Sequence, residues 1–348
     1  MSSLEKELFK KSGLANLSRL PEQKEEQEEE NSPQEQRLPP RRRSKQHYEA
    51  SSWNEYFDEC SDVTVESNSF RIYRKTPAKE TGVTFVMHHG AGSSALTFGL
   101  VAKAISEMTQ RECGILAFDC RGHGATVTTD DSDYSLATLS DDLTGLIKNI
   151  FDDKQDIILV GHSMGGSVVV DVAQKRRVSN IMGVTVLDVV EGSAMDALTS
   201  MTTIANSRPS CFQSVEQAIS WSVQSDTLRN SASARLSIPA LLTESNSSFV
   251  WITDLIATRP YWTEWFQGLS EKFLSSGTAK LLILAGTDRL DKPLIIGQMQ
   301  GKFQLQIFPD AGHFLQEDVP GKTAGCLIEF WKRNKRLVLP PKVKINMK

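Results

Sequence analysis

The chain reads as α/β: a mostly parallel sheet flanked by helices, with a helical insertion before its last two strands. Three observations predict this. Short apolar runs at 83–88, 114–118, 157–160, 182–187, 280–285 and 303–308 have the length of buried strands. Between the earlier runs, helical spacing recurs, and strand–helix alternation implies parallel strands joined by right-handed crossovers. The stretch 189–278 breaks that rhythm with helical segments and no buried-strand signal.

Taken in order, residues 1–50 are expected to be a disordered tail. Glu22 to Glu35 is almost entirely Glu, Gln, Asn and Pro, and Pro39-Pro40-Arg41-Arg42-Arg43 follows, so there is little apolar area to bury. The Arg41–Arg43 run is a candidate nuclear signal on an otherwise cytoplasmic protein. A single domain is expected over 51–333, with a basic tail at 334–348. The runs Val63-Thr64-Val65 and Phe70-Arg71-Ile72-Tyr73 flank Ser67-Asn68-Ser69 as a hairpin at a sheet edge. The strand at 83–88 runs into His89-Gly90-Ala91-Gly92, a loop able to aim a backbone N–H at a nucleophile. Leu96, Leu100, Ala104, Ile105 and Met108 are spaced for a helix. The strand at 114–118 closes with Asp119-Cys120-Arg121-Gly122-His123-Gly124, in which Asp119 and His123 are expected to brace the turn. The next helix, at 136–151, turns Leu139, Leu143, Leu146, Ile147 and Ile150 to the sheet. Within the insertion, helices are expected at 193–204, 215–223 and 262–274. Its aromatic residues Trp221, Trp251, Tyr261, Trp262, Trp265 and Phe266 serve either packing or a substrate or partner surface.

The chemistry centres on Ile157-Ile158-Leu159-Val160-Gly161-His162-Ser163-Met164-Gly165-Gly166. An apolar strand ends in G-x-S-x-G, and a small-residue helix follows, the setting of a nucleophile elbow. Ser163 is the candidate nucleophile, and the N–H groups of Met164 and Ala91 are the candidate oxyanion hole. A general base in this arrangement follows the serine in the chain. Of six histidines (His47, His88, His89, His123, His162, His313) only His313 does. It lies in Pro309-Asp310-Ala311-Gly312-His313, just past a strand. His88 and His89 are assigned to orienting their loop. The acid has two candidates. Asp288 follows the penultimate strand, where it is usual, and Asp188 ends the strand after the elbow unit; position alone favours Asp288.

Composition narrows the classes. With 348 residues, 39% hydrophobic and 24% charged, one large core with an insertion can form; a net charge of −4 gives no global pull toward nucleic acid. The five cysteines include no C-x-x-C pair, so neither a disulfide framework nor a metal site is indicated, and no cofactor motif is present. No apolar run approaches the ~20 residues of a membrane span.

With these residues in place, the chain resembles the protein phosphatase methylesterase family of α/β-hydrolases from about residue 53 to 331. The resemblance rests on Leu187-Asp188-Val189-Val190-Glu191-Gly192-Ser193-Ala194-Met195-Asp196-Ala197-Leu198, on Tyr261-Trp262-Thr263-Glu264-Trp265-Phe266-Gln267-Gly268-Leu269 and on Ile296-Gly297-Gln298-Met299-Gln300-Gly301-Lys302-Phe303. It implies the α/β-hydrolase fold and makes Asp188 the acid, with Asp288 secondary. The implied activity is a serine carboxylesterase whose partner is the catalytic subunit of type 2A protein phosphatase. Its implied reaction is hydrolysis of the methyl ester on that subunit's C-terminal leucine, releasing methanol. Two other readings stay open: a small-molecule esterase with the same triad, and a non-catalytic phosphatase-binding module. Ala91 stands where relatives can carry glycine, and 243–248 is shorter than the acidic insert of some relatives.

Overall fold

Short runs whose side chains are buried on both faces form the centre of a sheet, since helices cover it above and below. In the computed structural model, which describes residues 48–79, 82–286 and 290–335, these runs are β3 (Thr84–His88), β4 (Gly114–Phe118) and β5 (Ile157–His162), every residue of which is buried. The edge hairpin is β1 (Glu59–Val65) and β2 (Asn68–Lys75), and the far side holds β6 (Ile181–Leu187), β10 (Ala279–Ala285) and β11 (Gln304–Phe308). The order across the sheet is β1-β2-β4-β3-β5-β6-β10-β11. β2 runs antiparallel to both neighbours, and every other adjacent pair is parallel. The register aligns the carboxyl ends: His88 pairs with Gly161, Gly161 with Val186, and Leu187 with Ile283. The loops leaving β3, β5 and β6 therefore open at one edge, where open α/β sheets place ligands.

Two apolar layers enclose the sheet. One holds α2 (Leu136–Ile150) and α3 (Met164–Gln174) with Leu139, Leu143, Val168 and Val172 fully buried. The other holds α1 (Gly99–Met108) and α11 (Pro320–Asn334), with Val101, Ile105, Leu327 and Phe330 against Phe85, Ile115 and Ile158. Outside the insertion, strands and helices occur where the apolar runs and helical spacing place them. Ordered chain reaches further back than expected, because Ser51 N–H donates to Arg235 O at 2.9 Å and Tyr48 packs on the insertion. Residues 1–47 and 336–348, and with them most of both expected tails and Arg41–Arg43, lie outside the described residues.

The insertion differs from its helical reading. Helices α4 (Glu191–Ser207), α5 (Val215–Gln224) and α6 (Ser231–Ser237) are accompanied by a three-stranded antiparallel sheet of β7 (Cys211–Phe212), β9 (Ser248–Trp251) and β8 (Leu242–Ser245). These strands are two to four residues long and half-exposed, too short for alternation to show. Their turn residues Asn246 and Ser247 both have positive φ, 49° and 61°, the pattern of a two-residue hairpin turn. The expected helix at 262–274 is two, α7 (Trp262–Phe266) and α8 (Leu269–Ser275), because Gly268 at φ 76° stops the first. Among the described residues, no helix is long and apolar enough to cross a membrane.

Candidate active site

The elbow follows from two glycines. A Cβ on Gly161 would lie 2.2 Å from Gly165 O, and one on Gly165 would lie 2.3 Å from His88 O, so strand, helix and the neighbouring β3 close to backbone contact. Ser163 is left at φ 51°, ψ −120° at the N-terminus of α3, held by its N–H to Leu187 O at 3.0 Å. Such a conformation costs about 1–3 kcal/mol, which the surrounding packing must hold in place.

Asp188 continues β6 into its loop at φ 51°. Its Oδ1 accepts the Ala285 N–H at 2.7 Å, and its Oδ2 lies 2.8 Å from His313 Nδ1. That contact places a hydrogen on His313 Nδ1 and leaves Nε2 with a lone pair, the tautomer a base for a hydroxyl needs. Among the described residues, none hydrogen-bonds the Ser163 hydroxyl, a looseness common in unliganded hydrolytic sites. The structure thus gathers Ser163, Asp188 and His313 at the carboxyl edge of the sheet. Asp288 lies outside the described residues.

His162 holds the His313 loop in a way the sequence did not announce. Its Nε2 donates to His313 O at 2.9 Å, and the two rings stand 4.7 Å apart. Burial holds the His162 ring at about 3, so it stays neutral. Its position beside Ser163 was the available signal. Gly312 N–H, donated to Asp318 Oδ2 at 2.7 Å, fixes the same loop from the other side.

The loop after β3 approaches the elbow closely: a Cβ on Gly90 would stand 3.1 Å from Ser163 Cβ. No acceptor among the described residues takes the N–H of Ala91 or Met164, which leaves both free to donate toward a ligand. Three buried imidazoles fasten this loop. His123 Nδ1 donates to Arg121 O at 2.9 Å and its Nε2 accepts Gly92 N–H at 2.8 Å; His89 Nδ1 donates to Gly90 O at 2.8 Å and its Nε2 accepts Cys120 N–H at 3.0 Å. His88 donates to His89 O and packs edge-on against Phe118. Burial pushes His88 and His123 down to about 4, and His89 well below its usual range, so none carries charge at neutral pH. His89, Cys120 and His123 are the one cluster of possible metal ligands among the described residues. Both Nε2 lone pairs are already occupied by backbone N–H groups. Asp119 braces its turn as expected, accepting from Ala95 N–H at 2.7 Å and Ala125 N–H at 3.0 Å, and burial raises its carboxyl to about 6.

Glu317, which the sequence reading did not single out, is 2% exposed between the sheet and the insertion. It accepts from Thr97 and Ser237 hydroxyls, each at 2.6 Å. Burial raises it from 4.5 to about 7, with the two hydroxyls opposing the shift. Because the folded state holds this proton more tightly than the unfolded chain, its contribution to stability is complete below about pH 4.5 and disappears as pH rises through about 7. The slope in that window is on the order of 1.4 kcal/mol per pH unit. Glu317→Gln removes the ionisation, so its melting temperature should gain on the wild type between about pH 5 and pH 8. A difference that does not change with pH would contradict this.

Comparison with known proteins shows the family and the fold. A family model described as "Alpha/beta hydrolase family" matches residues 85–325. Protein phosphatase methylesterase 1 of Aspergillus fumigatus is 48% identical over 315 residues, covering 84% of this chain and 75% of that protein. Its namesake in Schizosaccharomyces pombe is 46% identical over 84% of this chain and 88% of that protein. The chain belongs to the protein phosphatase methylesterase family. As a member of that family, and of the α/β-hydrolases, the protein is a carboxylesterase. Among solved structures, E-2-(acetamidomethylene)succinate hydrolase superposes with a TM-score of 0.65 at 17% identity, covering 79% of this chain and 99% of that one, a likeness of fold.

Proposed function

We propose that the protein is a serine methylesterase acting on the methyl ester of the C-terminal leucine of the type 2A protein phosphatase catalytic subunit, with Ser163 as nucleophile, His313 as general base and Asp188 as its acid partner. The observation that carries the chemistry is the 2.8 Å contact between His313 Nδ1 and Asp188 Oδ2 at the loops flanking the elbow serine. The names of the relatives, protein phosphatase methylesterase 1, support a protein phosphatase as the substrate, and the type 2A subunit with its C-terminal leucine is the choice that the family resemblance implies.

In this reading, His313 Nε2 takes the Ser163 proton as Oγ attacks the ester carbonyl. The tetrahedral oxyanion receives the N–H groups of Ala91 and Met164, fixed before the reaction by the loop and by the helix N-terminus. Collapse expels methoxide, which His313 protonates to methanol, and an acyl-enzyme remains. Water, deprotonated by His313, then releases the free carboxylate and restores Ser163. Asp188 keeps the imidazole oriented and stabilises the imidazolium at both steps. No cofactor takes part in this sequence.

The test is methanol released from carboxymethylated type 2A phosphatase, together with loss of the methyl group from its C-terminal peptide by mass spectrometry. Turnover by the wild type and none by Ser163→Ala is expected. Hydrolysis of small esters with the methylated phosphatase left intact would favour a small-molecule esterase instead.

A further inference from the structure

A cavity of about 290 Å³ is lined jointly by the loop after β3, by Phe314 and by the insertion. Gly92 of the loop after β3, Phe314, next to His313, and Glu317 line it together with Trp221, Trp251 and Arg208 of the insertion. The Phe314 ring is 5.4 Å from that of His313 and 5.2 Å from that of His162, so one wall of the cavity packs against the candidate base. If the leaving alcohol is methanol, it is far too small to need this space. The cavity therefore faces the acyl side of the ester, and its volume, at the lower end for ligand clefts, suits one or two side chains.

Most of the lining is apolar, yet it carries a cation without a counter-charge. The Arg208 guanidinium lies over the Trp251 ring, its Cζ 3.7 Å from the ring centroid. Trp251 is fixed by its Nε1–H to Pro209 O at 2.8 Å and by edge contacts with Phe212 and Trp221. Among the described residues, no carboxylate pairs with Arg208 and none of its side-chain N–H groups finds an acceptor. Burial alone lowers it to about 10. Glu317, which shares the cavity, spends its two oxygens on Thr97 and Ser237. A half-buried guanidinium set over an indole, its N–H groups without an acceptor among the described residues, can offer two N–H groups to a carboxylate.

We propose that Arg208, stacked on Trp251, is a specificity residue that binds an acidic side chain of the peptide upstream of the esterified C-terminal residue. This deepens the methylesterase reading and rests on it. The arginine acts on binding, with the chemistry left to the elbow.

The experiment uses short N-acetylated peptides ending in leucine methyl ester. Each peptide carries a single glutamate at one upstream position and is paired with the glutamine peptide of the same sequence. For the wild type, glutamate at one position should raise kcat/KM about ten-fold over glutamine, the effect residing in KM and weakening with salt. Arg208→Gln should bring that ratio to about one, and Arg208→Lys, which keeps the charge but loses the planar fork, should fall between. A ratio near one at every position in the wild type would overturn the proposal, as would a ratio that survives Arg208→Gln. A phosphoserine peptide preferred over glutamate through Arg208 would overturn the choice of a carboxylate. Tryptophan fluorescence of Ser163→Ala with the same peptides gives a readout that needs no turnover. Should the esters resist hydrolysis while glutamate still tightens binding through Arg208, the methylesterase reading falls and the subsite stands.

Discussion

Ser163→Ala and His313→Ala should each lose up to about 10⁶-fold in ester hydrolysis, and the double variant should lose little more, because the members of a triad act as one unit. The serine variant isolates chemistry from fold. Ser163 sits at φ 51°, its backbone N–H is held by Leu187 O, and its hydroxyl makes no hydrogen bond among the described residues. Alanine therefore removes the nucleophile and little else. His313 is half-exposed, and its loop is held through the backbone by His162 and Asp318, so its ring is also separable from the fold. Rates on a model ester, measured after circular dichroism has shown both variants folded, decide this. Substantial activity in either would reject the assignment.

Asp188→Asn should cost about 10⁴-fold. Asparagine tolerates the left-handed backbone that Asp188 adopts at φ 51°, and its carbonyl oxygen can still accept the Ala285 N–H. What changes is the other half of the group. An amide N–H₂ facing His313 Nδ1 makes that nitrogen an acceptor, which puts the hydrogen on Nε2, where it cannot take a proton from serine. The expected signature is a collapse of kcat in a protein that melts close to the wild type. A loss of only a few-fold would move the acid role away from Asp188, and Asp288 would then be the residue to replace.

The sheet and the elbow were legible because their signals are local. G-x-S-x-G reports a backbone approach that only glycine allows, and β3, β4 and β5 are buried on both faces and so read as plain apolar runs. His313 was found by elimination, which needs only chain order. Position alone favoured Asp288, and it is a weak guide here because β6 and β10 are neighbours, with Leu187 opposite Ile283, so that both strands end at the same edge of the sheet. The family motif around Asp188 supplied the preference, and the structure sets that residue against His313. Features made by distant partners stayed hidden. His162 matters through the carbonyl of His313, His123 through the N–H of Gly92, and Arg208 through the face of Trp251. The short strands of the insertion were missed for another reason: two to four residues carry no usable period.

The central claim is that hydrolysis passes through an acyl group on Ser163. Its most direct test is to treat the folded wild-type protein with a fluorophosphonate and locate the adduct by peptide mass spectrometry. A single adduct on Ser163 is expected, formed in step with loss of esterase activity and slowed in Asp188→Asn. An adduct on another residue, or full inactivation with Ser163 unmodified, would contradict it.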